Sequence, residues 1–182
     1  MTAPLSLAEL TACGAHQRGH FLLSSGLHSG DYLQCALYLA QPRRAAKAGE
    51  LLAELVRAAG LAPELVVAPA MGGLIIGHET ARALDLTLRR GFALAPRQRV
   101  LVVEDVVTTG RSTREVFAIV AQAGAEVIGV GSLVNRSGLD TPFAPLPSRH
   151  LLAAAFPTWP AGECPLCRDA VPIAKPGSRP IV

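Results

Sequence analysis

Continuous apolar runs alternate along the chain with stretches whose apolar positions recur at helical spacing. Residues 65–68, 100–103, 127–134 and 151–156 are runs of Val, Leu, Ile and small residues with almost no polar interruption, and each reads as a strand buried on both faces. Between them lie helices. Residues 42–59 put Ala48, Leu51, Leu52, Leu55 and Ala59 on one face, with Pro42 placed to open the helix and Gly60 to end it. A second helix is predicted over 74–84. A third starts from the capping-box pattern Ser112-Thr113-Arg114-Glu115 and runs to Gly124. Upstream, Ser6-Leu7-Ala8-Glu9 is a further capping box and starts a short helix through about Cys13. Two short β-like pieces, 21–23 and 32–34, flank a polar turn at 24–30. Buried strands alternating with helices predict one α/β domain built on a parallel sheet covered on both faces. The proline-rich stretch after Pro157 is expected to be an irregular surface segment.

The length of 182 residues suits a single domain, and a hydrophobic content of 50% excludes wholesale disorder. Aromatic residues make up only 4%, which leaves little for stacking on single-stranded nucleic acid. The formal net charge of +3 comes without any block of like charges; that balance suits small anionic ligands and gives no footing for nucleic acid. No apolar run reaches the roughly 18 residues of a membrane helix, and no basic segment followed by an apolar stretch opens the chain. The four cysteines are too few for a disulfide scaffold. The expectation is a cytoplasmic protein with no membrane partner.

One segment concentrates chemistry: VLVVEDVVTTGRST, residues 100–113. Its apolar strand carries Glu104 and Asp105 at the tip, and a Thr108-Thr109-Gly110 turn then feeds a helix. Such a turn offers backbone N–H groups, hydroxyls and the positive end of a helix dipole, which together cradle a phosphate. Gly110 allows close approach of the anion. Paired acids repel a bare phosphate, but they accept hydrogen bonds from the vicinal hydroxyls of a ribose 5-phosphate. The plainer alternative is a pair of acids that ends a strand and caps a turn. Neither a Walker A loop nor a Gly-x-Gly-x-x-Gly fingerprint is present.

VLVVEDVVTTGRST closely resembles the phosphoribosyl-pyrophosphate (PRPP) motif of type I phosphoribosyltransferases. GHFLLSSGLHSGDYLQ near the N-terminus, VVAPAMGG, LRRGFALAP, GVGSLVNRSG and CPLCRDAVPI narrow the resemblance to orotate phosphoribosyltransferases, in the right order along nearly the whole chain. The resemblance implies a parallel sheet flanked by helices, with a small hood made from the N- and C-terminal segments. It implies transfer of phosphoribosyl from PRPP to orotate, giving orotidine 5′-phosphate and pyrophosphate, by a homodimer. Glu104 and Asp105 would hold the ribose hydroxyls, and Val106, Val107, Thr108, Thr109, Gly110, Arg111 and Ser112 would complete the PRPP site. Thr108 and Arg136 match positions that contact orotate. Mg²⁺ would come bound through PRPP, with no direct protein ligand.

The chain also departs from that pattern. Between the predicted helix 74–84 and LRRGF, family members carry a further strand and a flexible loop whose basic residue closes over pyrophosphate. Here only Asp85, Leu86 and Thr87 intervene, so that residue has no match and the integrity of the sheet is in question. The gap keeps two alternatives open beside the orotate enzyme: a non-catalytic PRPP-binding sensor, and a phosphoribosyltransferase for another base. Ser24 and Gly72 stand where relatives place basic residues, and Arg89 and Arg90 could offset the lost charge. Cys164-Pro165-Leu166-Cys167 is half of a zinc pattern with no second half in the sequence, and it reads more readily as a structural turn or a redox-sensitive thiol pair. His150 and Cys35 are conceivable partners for it, whereas His16, His20, His28 and His78 read as fillers.

Overall fold

The computed structural model describes residues 5–23, 25–89 and 94–176. Ser24 and Arg90 lie outside these described residues. In chain order the elements are α1 (Leu7–Ala12), β1 (His16–Leu22), β2 (His28–Leu33), α2 (Cys35–Leu39), α3 (Pro42–Ala58), β3 (Leu65–Val67), α4 (Gly73–Leu84) and β4 (Thr87–Arg89). Then follow β5 (Arg99–Val107), α5 (Arg111–Gln122), β6 (Glu126–Asn135), β7 (Ser148–Ala153), β8 (Thr158–Trp159), a 3-10 turn (Ala161–Glu163) and α6 (Pro165–Arg168).

The main sheet has five strands in the order β4-β3-β5-β6-β7, all parallel. Its apolar runs are continuous because both faces are covered. Leu65, Val67, Val100 and Val102 pack on Val116 and Val120 of α5, while Val66, Leu101 and Val103 point the other way to Leu52 and Val56 of α3 and Ile76 of α4. Full burial of each such side chain stabilises the fold by roughly 1.5–3 kcal/mol. The capping box at Ser6 forms as predicted, and Gln41 caps α3 by accepting from the Arg44 amide with Pro42 in the first turn.

The sheet is intact in spite of the short link after α4. Thr87, Leu88 and Arg89 pair in parallel with Leu65, Val66 and Val67, so the first part of the expected LRRGF strand fills the edge next to β3. The segment after Pro157 is not the irregular stretch expected from its prolines. Its β8 joins β1 and β2 in a second sheet, ordered β1-β2-β8, and Ala174 bridges to Phe21. This hood stands over the sheet where the Ser29 hydroxyl donates to the Pro157 carbonyl at 3.0 Å and accepts from Arg136 at 3.4 Å.

Candidate active site

Crossovers from β3 lead outward to β4, while those from β5 lead the other way to β6 and β7, so the topology reverses between β3 and β5. Crevices at such reversals, beyond the carboxyl ends of the strands, are where open α/β sheets bind ligands. The two segments that meet there approach very closely. A Cβ on Gly72 would stand 2.5 Å from Asp105 Oδ1, so a residue with a side chain takes that place only if the Asp105 carboxylate turns aside.

Glu104 and Asp105 do not end their strand, as the sequence suggests; β5 continues through Val107. Glu104 is buried, and its Oε2 accepts from the Ser112 hydroxyl at 2.8 Å. Burial pushes its carboxyl up to about 7, the neighbouring Asp105 adds to the rise, and the Ser112 hydroxyl works against it. Asp105 Oδ1 accepts from the Val106 amide at 2.9 Å. The capping box predicted at Ser112 does not form, because α5 begins earlier. Gly110 is the N-cap residue in the left-handed region (φ 72°), and the Ser112 hydroxyl, already inside the helix, is given to Glu104. Val106, Thr108, Thr109, Gly110, Arg111, Ser112 and Glu115 line a cavity of about 450 Å³ at this helix start.

What holds this turn has no mark in the sequence. Arg114 donates to the Thr109 carbonyl at 2.6 Å and to the Pro142 carbonyl at 3.2 Å, with its guanidinium 5.2 Å from the centre of the buried Phe143 ring. The same ring would lie 2.6 Å from a Cβ on Gly110. On the other side, the Arg136 amide donates to the Val107 carbonyl at 2.7 Å, which brings Arg136 beside Thr108 at the ends of adjacent strands. The half-buried Arg136 guanidinium lies 5.3 Å from the centre of the Phe156 ring, and burial lowers its pKa while Asp31 resists the fall. Among the described residues no carboxylate stands within ion-pair distance of it. An Asx-type turn shapes the loop after Arg136: Asn135 Oδ1 accepts from the Ser137 amide at 3.0 Å, and Asn135 Nδ2 donates to the Leu139 carbonyl at 2.7 Å.

No protein-family model matches the chain. Individual relatives do. The orotate phosphoribosyltransferase of Carboxydothermus hydrogenoformans is 48% identical over 173 residues, covering 88% of this chain and 90% of that protein. The chain belongs to the orotate phosphoribosyltransferase family. The orotate phosphoribosyltransferase of Sphingopyxis alaskensis is 46% identical over 199 positions, covering 100% of this chain and 99% of that one. Those 199 positions exceed the 182 residues present here, so the relative carries residues that have no counterpart in this chain. The crystal structure of orotate phosphoribosyltransferase from Aeropyrum pernix superposes with a TM-score of 0.68 at 27% identity, covering 80% of this chain and 92% of the other.

Against the orotate phosphoribosyltransferase pattern, all nine residues expected from the sequence at 104–112 fall in one unbroken stretch from the end of β5 to the start of α5. Ser29, Asp31 and Phe156 surround Arg136; the first two lie in the segment GHFLLSSGLHSGDYLQ, while Phe156 has no motif that marks it. Of the two candidate metal partners in the sequence, Cys35 lies in α2 and His150 in β7, and neither joins a metal-ligating group among the described residues; His20 and His28, which read as fillers in the sequence, do. No helix among the described residues is long and apolar enough to cross a membrane.

Proposed function

We propose that the chain transfers the 5-phosphoribosyl group of PRPP to orotate, forming orotidine 5′-phosphate and releasing pyrophosphate. The observation that carries the orotate assignment is the Arg136 guanidinium. It is half-buried, stacked near Phe156, and without a carboxylate at ion-pair distance among the described residues, so an incoming carboxylate gains a desolvated cation with fixed orientation. Adenine has no carboxylate to pair with it. Thr108, one residue beyond the Val107 carbonyl that accepts from the Arg136 amide, is proposed to share this contact with the base.

In this reading the 5-phosphate sits in the cavity lined by Thr108, Thr109, Gly110, Arg111 and Ser112, where the first turn of α5 supplies unpaired amides. Glu104 and Asp105 accept from the ribose hydroxyls. The orotate ring nitrogen attacks the anomeric carbon as the bond to pyrophosphate breaks, through a transition state with oxocarbenium character. The two carboxylates below the ribose stabilise that positive charge, which matters more here than a general base.

Mg²⁺ is proposed to arrive on the pyrophosphate and neutralise part of its charge. The donor set fits that role. Glu104 and Asp105 are the hard oxygen ligands of the crevice, and each already accepts a hydrogen bond from Ser112 or Val106, which leaves substrate oxygens and water as the main ligands. A homodimer is part of the same reading.

The test is orotate consumption with PRPP and Mg²⁺, beside an adenine control. Orotate-specific turnover is the expected result. A second reading, a PRPP-binding sensor without catalysis, draws on the short link: only Asp85 and Leu86 separate α4 from β4, and no basic loop residue of the family has a match there. PRPP binding with no turnover on either base overturns the enzyme reading in its favour.

A further inference from the structure

The hood gathers four metal-ligating side chains from distant parts of the chain. His20 of β1, His28 of β2, and Cys164 and Cys167 at the start and in the single turn of α6 have their ligand atoms all within 4.8 Å of one another. Local structure brings each pair together. In the antiparallel register Leu22 faces His28, and a bulge in β1 between Arg18 and Phe21 turns His20 toward it, with His20 Nε2 2.9 Å from His28 Nδ1. Cys164 is the N-cap residue of α6 and Cys167 follows one turn later, the spacing that turns two side chains to one side.

We propose that these four residues bind one zinc ion per chain, in a tetrahedral structural site that fastens the C-terminal segment to the N-terminal hairpin. The nitrogen–sulfur separations are close to those of such a site, and the two nitrogens need only part slightly to admit the ion. His20 Nε2 is 2.9 Å from His28 Nδ1, Cys164 Sγ is 3.5 Å from His20 Nε2, and Cys167 Sγ is 3.7 Å from His20 Nε2 and 3.3 Å from His28 Nδ1. Zn–S bonds of about 2.3 Å and Zn–N bonds of about 2.0–2.1 Å make tetrahedron edges of about 3.3 Å between nitrogens and about 3.5 Å between nitrogen and sulfur.

The protonation pattern agrees with ligation. His20 Nδ1 is 2.8 Å from the Val171 carbonyl, which can only accept, so the proton sits on Nδ1 and Nε2 turns its lone pair into the cluster. That outer hydrogen bond is the usual support of a metal-bound imidazole. Charge agrees as well: two thiolates balance a divalent cation, and two neutral imidazoles complete four ligands, so a group in which His20, His28 and Cys164 are buried carries no net charge. Cys167 is exposed, which gives the ion a way in. A hard cation is excluded by the two sulfurs.

The site also borders the substrate crevice. Ser29 follows His28 directly, accepts from Arg136 and donates to the Pro157 carbonyl. The zinc is thus a positioning element for the strand under the orotate-binding cation, and its binding does not depend on the proposed activity.

The experiment is metal analysis of the whole chain purified without chelator, followed by cobalt exchange. One zinc per chain is expected. Cobalt should give the intense visible bands of a tetrahedral site and a thiolate charge-transfer band in the near ultraviolet. Cys164→Ser and Cys167→Ser should each lower zinc content at least tenfold, whereas Cys13→Ser should retain it. Should the first two variants fail to fold, titration of the unmodified chain with a mercurial thiol reagent keeps the test open, because zinc should be released in step with modification of two thiols. Chelation should lower the Tm by about 5–10 °C. Failure of the reduced chain to bind added zinc overturns the proposal, as does a Cys164–Cys167 disulfide in freshly isolated protein.

Discussion

The Ser112 hydroxyl donates to Glu104 Oε2 at 2.8 Å and so ties the last turn of the crevice strand to the first turn of α5. This one bond explains why Ser112 is not a helix cap, and it keeps a buried carboxylate oriented beside Asp105. Burial dominates that carboxylate all the same, holding its pKa at about 7 against an ordinary value of 4.5. A carboxyl raised in this way favours the fold fully below the unfolded pKa and loses that contribution as pH rises through about 7. Glu104→Gln keeps the shape and the bond from Ser112 while removing the buried charge. Thermal melts should show the variant raised by a few degrees relative to the parent at pH 8 and little changed at pH 5. Turnover should fall at least tenfold at pH 8, and kcat/KM of the parent for PRPP should decline as pH drops through about 7.

Asp105→Asn should weaken PRPP by about 10- to 100-fold, the worth of a charged hydrogen bond to a sugar hydroxyl. Direct binding measured by calorimetry checks it; unchanged affinity would remove Asp105 from the ribose site.

Arg136→Ala should raise KM for orotate far more than KM for PRPP, by about 100-fold for a charged pair left unmade in a half-buried site. Arg136→Lys should restore little, since a point charge does not reproduce a planar fork over Phe156. Equal losses for both substrates would count against base recognition.

Arg114 touches no proposed substrate atom; it holds the Thr109 and Pro142 carbonyls. Arg114→Ala should therefore raise KM for PRPP several-fold and leave KM for orotate near its parent value. Arg114→Lys should recover part of the loss. A drop in kcat with both KM values unchanged would assign Arg114 some other role.

Gly72→Ala puts a methyl 2.5 Å from Asp105 Oδ1. The Asp105 carboxylate must turn aside to admit it, so PRPP affinity should fall at least tenfold, with a Tm lower by about 2–4 °C for a cost of about 1 kcal/mol.

How far the sequence reaches is set by the range of each signal. Strands β3, β5 and β6 were readable because burial on both faces leaves uninterrupted apolar runs, a local property. Residues 104–112 stand out in the sequence because they too form one contiguous stretch. The Ser112 pattern misled because Ser-x-x-Glu is satisfied on paper wherever a helix starts nearby, and Gly110 in the left-handed region starts this one earlier. His20 and His28 carry no sequence signal because neighbours across a hairpin have no fixed spacing, and their partners stand 144 and 139 residues away. Arg114 and Phe143 likewise act across the fold, and β8 acquires its role only by pairing with β2.

The hood is woven from both flanks of the sequence: β1 and β2 precede the parallel sheet, while β8, α6 and Ala174 follow it. During synthesis the five parallel strands are made before β8, and domains begin to fold as their chain emerges. The cover of the crevice is thus begun before its floor and closed only after it.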